Sequence, residues 1–335
     1  MQIYISIFIL TIIGILIIKN NATSFGLIDE PNARSIHTEL IPRGAGIAFV
    51  LSIFISLLFF EYEHLKTYYY IYIAIALVWI VGILDDTIDT SPKLKFIFIF
   101  VAATLLLMND YTIVTLGTYF GYEILLPTWL AYIFTFIAIA GYTNALNLMD
   151  GLDGLAGSIT VVMLATFLAI GLQHQDELLI YLSSFFIVSL LTFLFFNWNP
   201  AKIFMGDSGS LTLGFVIAIL TIQTSNYISP TAILFIIALP LLDTFIVMVR
   251  RHQRGKSLFE ADKNHLHHFL YHVKGDVKFS VVMLILMQAI FSIIGFQVQN
   301  ADDFISLVLF VLLFYTYFYL FDQRLKRRIK KKKKK

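Results

Sequence analysis

Long apolar segments recur along the whole chain, and no other feature limits the possible folds as strongly. A membrane-spanning helix needs about 20 apolar residues. Eleven candidate segments, of which the fourth and eighth are short, lie at 1–19, 44–60, 67–84, 95–108, 128–146, 155–173, 177–196, 210–224, 229–249, 278–297 and 303–323. The chain of 335 residues is 59% hydrophobic and 14% charged, unlike a soluble domain of this size. The sequence therefore predicts an all-α polytopic membrane protein with about eleven transmembrane helices.

The basic residues indicate how these helices are oriented. With the amino terminus outside, the odd-numbered connections are cytosolic, and they and the carboxyl-terminal tail contain every Lys and Arg except Lys66. Cytosolic connections of membrane proteins are enriched in Lys and Arg, so we expect the carboxyl terminus in the cytosol. We interpret 1–323 as a single transmembrane catalytic domain with cytosolic active-site loops at 20–43, 85–95, 147–155, 197–209 and 250–277, followed by a basic tail at 324–335.

The chain has no cysteine. This excludes disulfides, iron–sulfur clusters and zinc sites built on thiolates. Any metal site must therefore use oxygen or imidazole ligands.

The third cytosolic segment has amides and acids at steps of three, namely Asn144, Asn147, Asp150 and Asp153. On a helix this spacing keeps the side chains near one face, where they need water or partners. Glycines between them let another backbone approach closely or break the helix. An ion pathway, a metal and phosphate site and a satisfied structural network all remain open at this point.

Two other cytosolic loops have acids in unusual positions. Asp85 and Asp86 are adjacent at a helix end and precede Lys93 and Lys95. Adjacent carboxylates raise one another's pKa unless a cation compensates them. Asp207 lies in a turn between glycines, where backbone N–H groups and a carboxylate suit a phosphate with its cation.

The first and last cytosolic loops add cationic candidates. Arg43 stands beside Gly44 and Gly46, which suits an anion site, although the arginine also satisfies the positive-inside rule. The last loop contains His265, His267 and His268, which we interpret as phosphate contacts, because a zinc shell would lack further ligands. We interpret Asp243, inside the preceding segment, in the first place as a partner of a neighbouring cation and only in the second place as a site residue.

Five elements in one order resemble the polyprenyl-phosphate N-acetylhexosamine-1-phosphate transferases. They are Pro31-x-x-Arg34-x-x-His37 with Pro42-Arg43-Gly44-Ala45-Gly46, Asp85-Asp86-x-x-Asp89-x-Ser91-Pro92-Lys93-x-Lys95-Phe96, Asn144-Ala-x-Asn147-x-x-Asp150-Gly-x-Asp153-Gly154, Asn197-x-x-Pro200-Ala201-x-x-Phe204-Met205-Gly206-Asp207-x-Gly209, and Asp262-Lys263-x-His265-Leu266-His267-His268. The last element is similar to the WecA/TagO/WbpL branch, whereas the MraY branch has three consecutive histidines there.

The resemblance implies attack by a lipid phosphate oxygen on the β-phosphorus of a UDP-sugar, with release of UMP. It implies Mg²⁺, with Mn²⁺ as an alternative, held by Asp207 and Asn147. The implied catalytic residues are Asp85, Asp86, Asp150, Asp153 and His265. The implied substrate-binding residues are Arg43, Lys93, Lys95, Asn144, Asn197, Arg254, His267 and His268.

We expect a UDP-amino sugar, with GlcNAc first, undecaprenyl phosphate and membrane lipids as partners, and no nucleic acid, at the bacterial cytoplasmic membrane with the active site facing the cytosol. The alternatives are an MraY-type transferase of phospho-MurNAc-pentapeptide and an ion-coupled transporter using Asp150, Asp153 and Asp243. A transporter predicts acids at mid-membrane and repeated halves, and this chain shows neither pattern. The sequence leaves open the sugar, the glycan pathway, whether a homodimer forms, the role of the poly-Lys tail, and whether Asp85 acts as a base.

Overall fold

The computed structural model describes residues 1–30, 39–253, 255 and 265–332, without the side chains of 317, 318 and 320–332. Its helices are α1 (Gln2–Phe25), α2 (Ala45–Phe60), α3 (Tyr62–Thr67), α4 (Tyr69–Ile88), α5 (Pro92–Leu107), α6 (Thr128–Met149), α7 (Leu155–His174), α8 (Glu177–Asn197), α9 (Asp207–Thr224), α10 (Pro230–Ile236), α11 (Ala238–Gln253), α12 (Leu266–Lys274), α13 (Val277–Gln297) and α14 (Asp303–Lys332). The prediction of a helical, multi-pass membrane protein is confirmed.

Seven helices of the described chain are long and apolar enough to cross a membrane, namely α1, α4, α6, α7, α8, α9 and α13. The bent pair α10 and α11 adds an eighth candidate. Each of the eleven predicted segments coincides with a helix or with this pair. However, α2 and α5 have 16 residues each, about 24 Å at the usual rise per residue, which is short of a bilayer core of about 30 Å.

The ninth predicted segment is broken instead of straight. Its two halves, α10 and α11, meet at an angle of 85°. Pro240 follows the break and has no N–H with which to reach the carbonyl of Ile236. The side chain of Gln288 in α13 takes over, because its Nε2 donates to Ile236 O at 2.7 Å while its Oε1 accepts from Leu239 N at 3.2 Å.

Two small antiparallel sheets accompany the helices. Strands β1 (Ile28–Asp29) and β2 (Ile41–Pro42) pair at the first long connection. Strands β3 (Thr115–Tyr119) and β4 (Tyr122–Leu125) form a hairpin, which we did not predict. Asp303, at the start of α14, accepts hydrogen bonds from Thr118 N at 2.7 Å and from Thr231 Oγ1 at 2.7 Å, and so fastens this hairpin to α10.

Helix α9 lies at the centre of the bundle. It is the most buried of the seven candidate spans and packs against α2, α4, α6, α7 and α8. Gly46 in α2 and Gly82 in α4 allow this packing, because a Cβ atom on either would collide with the backbone of Ser208 or Gly209. The amino-terminal end of α9 is therefore enclosed by backbone from two other helices.

Candidate functional site

A cavity of about 830 Å³ opens where α4 and α6 end and α9 begins. Its wall contains eight of the residues that the sequence singled out, namely Arg43, Asp86, Asn147, Asp150, Asp153, Asn197, Asp207 and His268. These residues come from all five predicted loops, so the structure brings together elements that are far apart in the chain.

Lys95 joins the second loop to the fourth. Its Nζ lies 2.5 Å from Asp207 Oδ2 and 2.8 Å from Asp85 Oδ2. The other oxygen of Asp85 accepts from the backbone N of Thr90 at 2.9 Å and from its Oγ1 at 2.8 Å. Asp85 thus has partners on both oxygens, and Lys95 neutralises part of the charge of two carboxylates.

Asp86 fixes the start of α9. Its Oδ1 accepts from Asp207 N at 2.7 Å, and its Oδ2 accepts from Ser208 N at 3.0 Å. The first N–H groups of a helix have no partner within the helix, so this carboxylate caps α9 from another helix. A Cβ atom on Gly206, which has φ 77°, would collide with the Asp86 carboxylate. The expectation that these N–H groups are free for a phosphate is therefore wrong.

The first loop is fastened to the fourth by backbone hydrogen bonds. Ala45 N donates to Phe204 O at 3.1 Å, and Gly46 N donates to Met205 O at 2.9 Å. These amides are used within the protein, so an anion near this loop has to rely on the Arg43 side chain. That guanidinium lines the cavity and lies 3.6 Å from Asp89 and 4.0 Å from Asp29.

Asn147 contacts the acid at the start of α9. Its Nδ2 donates to Asp207 Oδ1 at 3.0 Å and to Ser210 Oγ at 2.8 Å. Because both amide hydrogens are used, the carbonyl oxygen of Asn147 is the atom left for a cation. Asn144 lies one turn earlier on α6, half-buried, and is not part of the cavity wall.

The acid stripe of the third loop does not continue on one helix. Helix α6 ends at Met149, and Gly154, with φ 77°, precedes α7. Asp150 therefore lies in a short link, on the cavity wall. Burial, followed by the charges of Asp207, Asp153 and Asp86, raises the pKa of Asp150 to about 7. A carboxyl group with so perturbed a pKa is a candidate for binding a cation or a substrate.

Asp153 and Asn197 hold the third and fourth loops together. Asp153 Oδ2 accepts from Asn199 Nδ2 at 2.8 Å and from Ala201 N at 3.0 Å. Asn197 Oδ1 accepts from Gly154 N at 2.8 Å, and its Nδ2 donates to Ile203 O at 2.9 Å. Both residues border the cavity, but these contacts make them positioning residues in this arrangement.

The three histidines occupy different positions. His268 lines the cavity, His267 packs its Nε2 edge against Gly151, and His265 is 5% exposed and bonds Asp243 Oδ2 through Nδ1 at 2.7 Å. Asp243 was expected to pair with a neighbouring cation, and its partner is the imidazole of His265. Burial lowers the pKa of His267 to about 3, so that ring is neutral at neutral pH.

Some predicted site residues stay away from the cavity wall. Lys93 is exposed on the first turn of α5. The cavity wall also does not include Asp85, Lys95, His265 and His267. Arg254 lies outside the described residues. Conversely, the wall includes residues that sequence reasoning did not assign to the site, among them Lys19, Asn199, Lys202 and Ser210. Asn199 and Ser210 stand within or beside the fourth motif, so their position was a usable signal, whereas Lys19 gave none beyond its charge.

The side chains on the cavity wall can bind a metal through oxygen atoms. Asp207 and Asn147 face the same cavity, and carboxylate and amide oxygens are ligands of Mg²⁺ and Mn²⁺. Within the described ranges, no three His, Cys, Asp or Glu side chains form a ready-made metal cluster. Mg²⁺ commonly uses one or two protein carboxylates together with substrate phosphates and water, so the residues present fit such an ion.

Comparison with known proteins identifies the family of this chain. The model of "Glycosyl transferase family 4" matches residues 68–225, which contain Asp85, Asp150 and Asp207. A "Probable undecaprenyl-phosphate N-acetylglucosaminyl 1-phosphate transferase" of Bacillus subtilis (strain 168) is 33% identical over 320 residues, 91% of this chain and 88% of the relative.

Enterobacterial relatives give the same result. An "Undecaprenyl-phosphate alpha-N-acetylglucosaminyl 1-phosphate transferase" of Escherichia coli (strain K12) is 32% identical over 92% of this chain and 87% of the relative. The protein of the same name from Yersinia pestis is 29% identical over 91% of this chain and 87% of its own length. The chain therefore belongs to the family of undecaprenyl-phosphate N-acetylglucosaminyl 1-phosphate transferases, within glycosyl transferase family 4.

Proposed function

We propose that this protein transfers a HexNAc-1-phosphate, in the first place N-acetylglucosamine 1-phosphate, from its UDP-sugar to undecaprenyl phosphate and releases UMP. The observation that carries the proposal is the cavity with Asp86, Asp150 and Asp207 on its wall. It lies at the ends of apolar helices, where a lipid phosphate and a water-soluble nucleotide sugar can meet. The full-length similarity to named transferases supports the same reaction.

The reaction depends more on neutralising the negative charges of the phosphate groups than on transferring a proton. An oxygen of the lipid phosphate attacks the β-phosphorus, the new P–O bond forms, and the bond from this phosphorus to the bridging oxygen breaks, so that UMP leaves with the electron pair. A phosphate monoester has a second pKa near 6, so the nucleophile is mostly a dianion at neutral pH. Asp85, whose oxygens are bonded to Lys95 and Thr90, serves chiefly to hold Lys95.

Mg²⁺, or Mn²⁺ in its place, is part of this proposal, with Asp207 and Asn147 as its protein ligands. When bound, the ion neutralises diphosphate charge and polarises the reacting phosphoryl group. Asp86 sets the position of Asp207 through the start of α9. Asp150 lies close enough to Asp207 for their two negative charges to repel each other. A divalent cation bound beside them would reduce this repulsion.

Hydrogen-bond donors on the cavity wall receive the substrates. The guanidinium of Arg43 and the imidazole of His268 line the cavity, where they can donate hydrogen bonds to phosphate oxygens. Lys95, bound to Asp207, can turn from a carboxylate to an incoming lipid phosphate.

The membrane topology extends the proposal. We place eleven spans, the ninth formed by α10 and α11, across the bacterial cytoplasmic membrane, with the amino terminus outside and the cavity facing the cytosol. Support comes from the coincidence of the eleven apolar segments with helices and from Lys19, Arg43 and Lys202, which line the cavity and lie in connections that the basic-residue bias assigns to the cytosol. A homodimer is a further possibility that a mass measurement in detergent tests.

The two alternatives receive less support. An ion-coupled transporter predicts acids near the bilayer midplane. Of the acids that this alternative uses, Asp150 and Asp153 lie in the link between α6 and α7, so they stand at helix ends. An MraY-type transferase of phospho-MurNAc-pentapeptide is tested directly by the choice of nucleotide sugar.

The experiment is UMP release by the purified protein in detergent with undecaprenyl phosphate and Mg²⁺. UDP-GlcNAc, UDP-GalNAc and UDP-MurNAc-pentapeptide are compared, and Asp207→Ala runs beside the unchanged protein. We expect release that needs lipid phosphate, metal and Asp207, and that is fastest with UDP-GlcNAc. Folded protein that releases no UMP from any of these sugars would overturn the proposal, and preference for the pentapeptide would assign the MraY-type reaction.

A further inference from the structure

A buried carboxylate outside the cavity has no part in the reaction as described so far. Asp243 lies in α11, six positions after the break at Ile237, and is 3% exposed. It is not on the cavity wall. A carboxylate is costly to bury in a membrane protein unless its oxygens have partners, so these partners indicate what Asp243 does.

Both oxygens of Asp243 bind the start of α12. Oδ2 lies 2.7 Å from His265 Nδ1, and Oδ1 accepts from Leu266 N at 2.7 Å. Leu266 is the first residue of α12, and His265, at the N-cap position, makes no side-chain capping bond. Asp243, 23 positions before Leu266 in the chain, therefore caps α12 in place of the N-cap side chain.

The contact also fixes the imidazole of His265. An ionised carboxylate only accepts hydrogen bonds, so Nδ1 of His265 carries a proton and the ring cannot rotate without losing this bond. The ring of His265 is nearly parallel to that of His267, at 13° and 5.7 Å between centroids. His267 in turn lies 4.3 Å from His268.

The row of imidazoles ends at the cavity. His268 lines it, and the Nε2 edge of His267 packs against Gly151, next to Asp150. Movement of α12 by even a fraction of a turn would change where His268 meets a ligand. The placement of this row therefore depends on one carboxylate in a different helix.

We propose that Asp243 is a positioning residue for the transfer reaction, which holds His265 and the first turn of α12 so that His268 meets the nucleotide sugar in the cavity. The inference rests on the proposed function, which supplies the ligand. It assigns Asp243 to the nucleotide-sugar side of the site and not to the lipid-phosphate side.

The test compares Asp243→Asn with a matched buried cap. In Asp243 each carboxylate oxygen accepts one of the two hydrogen bonds, from Nδ1 of His265 and from N of Leu266. Asparagine has one acceptor oxygen and one NH₂ group, so it can replace only one of these two acceptors in place. Asp176 is the control, because it is 8% exposed, accepts from Leu179 N at 2.7 Å and caps α8 at the opposite end of α7. Both variants lose a buried cap, but Asp176 does not border the cavity.

We expect Asp243→Asn to raise the KM for UDP-GlcNAc by about tenfold while the KM for undecaprenyl phosphate changes less than twofold. Asp176→Asn is expected to lower the unfolding temperature and to leave both KM values in place. In the background His265→Gln, Asp243→Asn should add little to the KM, because the two residues act through one contact. In protein labelled with ¹⁵N-histidine, the Nδ1–H resonance that His265→Gln removes should also be lost in Asp243→Asn.

Equal changes in both KM values, or a fall in stability with unchanged KM values, would overturn the inference and leave Asp243 with a folding role alone. So would full additivity with His265→Gln. UMP release by the unchanged protein is measured first. Its absence overturns the proposed function, and this inference with it, whereas normal release with an unaltered UDP-GlcNAc KM in Asp243→Asn overturns the inference alone.

Discussion

The carboxylate of Asp86 accepts the backbone N–H of Asp207 at 2.7 Å, so one acid of the cavity is held in place by another. Asp86→Asn keeps the size but leaves one N–H at the start of α9 without an acceptor. We expect a loss of about 1–3 kcal/mol in the free energy of unfolding and UMP release that falls well below that of the unchanged protein. Thermal unfolding and UMP release in detergent measure the two effects.

Asp276 offers the control for this variant. It caps α13 by accepting from Phe279 N at 3.2 Å and is exposed. Asp276→Asn should cost less than about 1 kcal/mol and leave UMP release unchanged. Equal losses of activity in the two variants would contradict a specific role for Asp86.

Replacement of Lys95 tests its place between two acids. Lys95→Gln removes the ammonium group that lies within 2.8 Å of Asp85 and 2.5 Å of Asp207. The remaining carboxylates attract a divalent ion more strongly, so we expect the Mg²⁺ concentration for half-maximal thermal stabilisation to fall about tenfold or more. UMP release should fall at the same time. Lys66→Gln, at an exposed lysine elsewhere, should change neither quantity, and weaker Mg²⁺ binding in Lys95→Gln would count against this account.

A substitution at Gly151 tests the contact between the third loop and the ring of His267. A Cβ atom there would overlap the His267 ring, whereas a Cβ on Gly141 in α6 meets nothing within 4 Å. We expect Gly151→Ala to displace His267 and raise the KM for UDP-GlcNAc severalfold. Gly141→Ala should be neutral or stabilising by up to about 1 kcal/mol, because alanine favours a helix. Steady-state kinetics and thermal unfolding of both variants measure these effects. The same KM for UDP-GlcNAc in Gly151→Ala and Gly141→Ala would show that the contact with His267 has no effect on the site.

Gln288 tests how the break between α10 and α11 is tolerated. Gln288→Leu removes the partners of Ile236 O and Leu239 N. Unsatisfied backbone groups are costly in a membrane, so we expect a loss of about 1–3 kcal/mol in the free energy of unfolding. Ile290→Leu, at an exposed position of the same helix, should be close to neutral. A Gln288→Leu protein as stable as Ile290→Leu would show that water or lipid takes over these bonds.

The pH dependence of stability tests Asp150. Its pKa is about 7 in the folded protein, compared with 3.8 for an aspartic acid side chain exposed to water. Between these values the folded state holds a proton that the unfolded state has released, so stability falls as pH rises through this window. In EDTA, Asp150→Asn should therefore unfold at a higher temperature than the unchanged protein at pH 8 but not at pH 4. The same difference at both pH values would place the pKa of Asp150 elsewhere.

Much of the fold was predictable because lipid selects long apolar segments. The segment predicted at 128–146 is the helix Thr128–Met149, and that predicted at 177–196 is Glu177–Asn197. The break at Ile237 was not predicted, since the hydropathy of 229–249 is continuous. Pro240 was its only local signal. The hairpin at 115–125 was missed although its alternating β-branched and aromatic residues, with Gly121 at the turn, favour strands.

The candidate site was predictable in its residue types but not in its pairings. Residues of all five loops do converge on one cavity, among them three acids and two amides of the second, third and fourth loops, namely Asp86, Asp150, Asp207, Asn147 and Asn197. That Asp153 bonds Ala201, and that Lys95 bonds Asp207 across 112 positions, depends on tertiary packing that spacing in a sequence does not encode. For the same reason, two groups of backbone amides that looked available for an anion have partners inside the protein, one group on Asp86 and the other on the Phe204–Met205 segment.

The central position of α9 has a consequence for how the protein is made. Its first residue meets Asp86, which the ribosome has added 121 positions earlier. Until α9 is inserted, Asp86 lacks the backbone N–H groups that it binds. Gly46 and Gly82 likewise lack the backbone against which they pack. A nascent chain that stops before residue 207 thus has α1 to α8 but lacks Asp207 and Ser210 of the cavity wall. Biogenesis of the enzyme depends on this one late insertion.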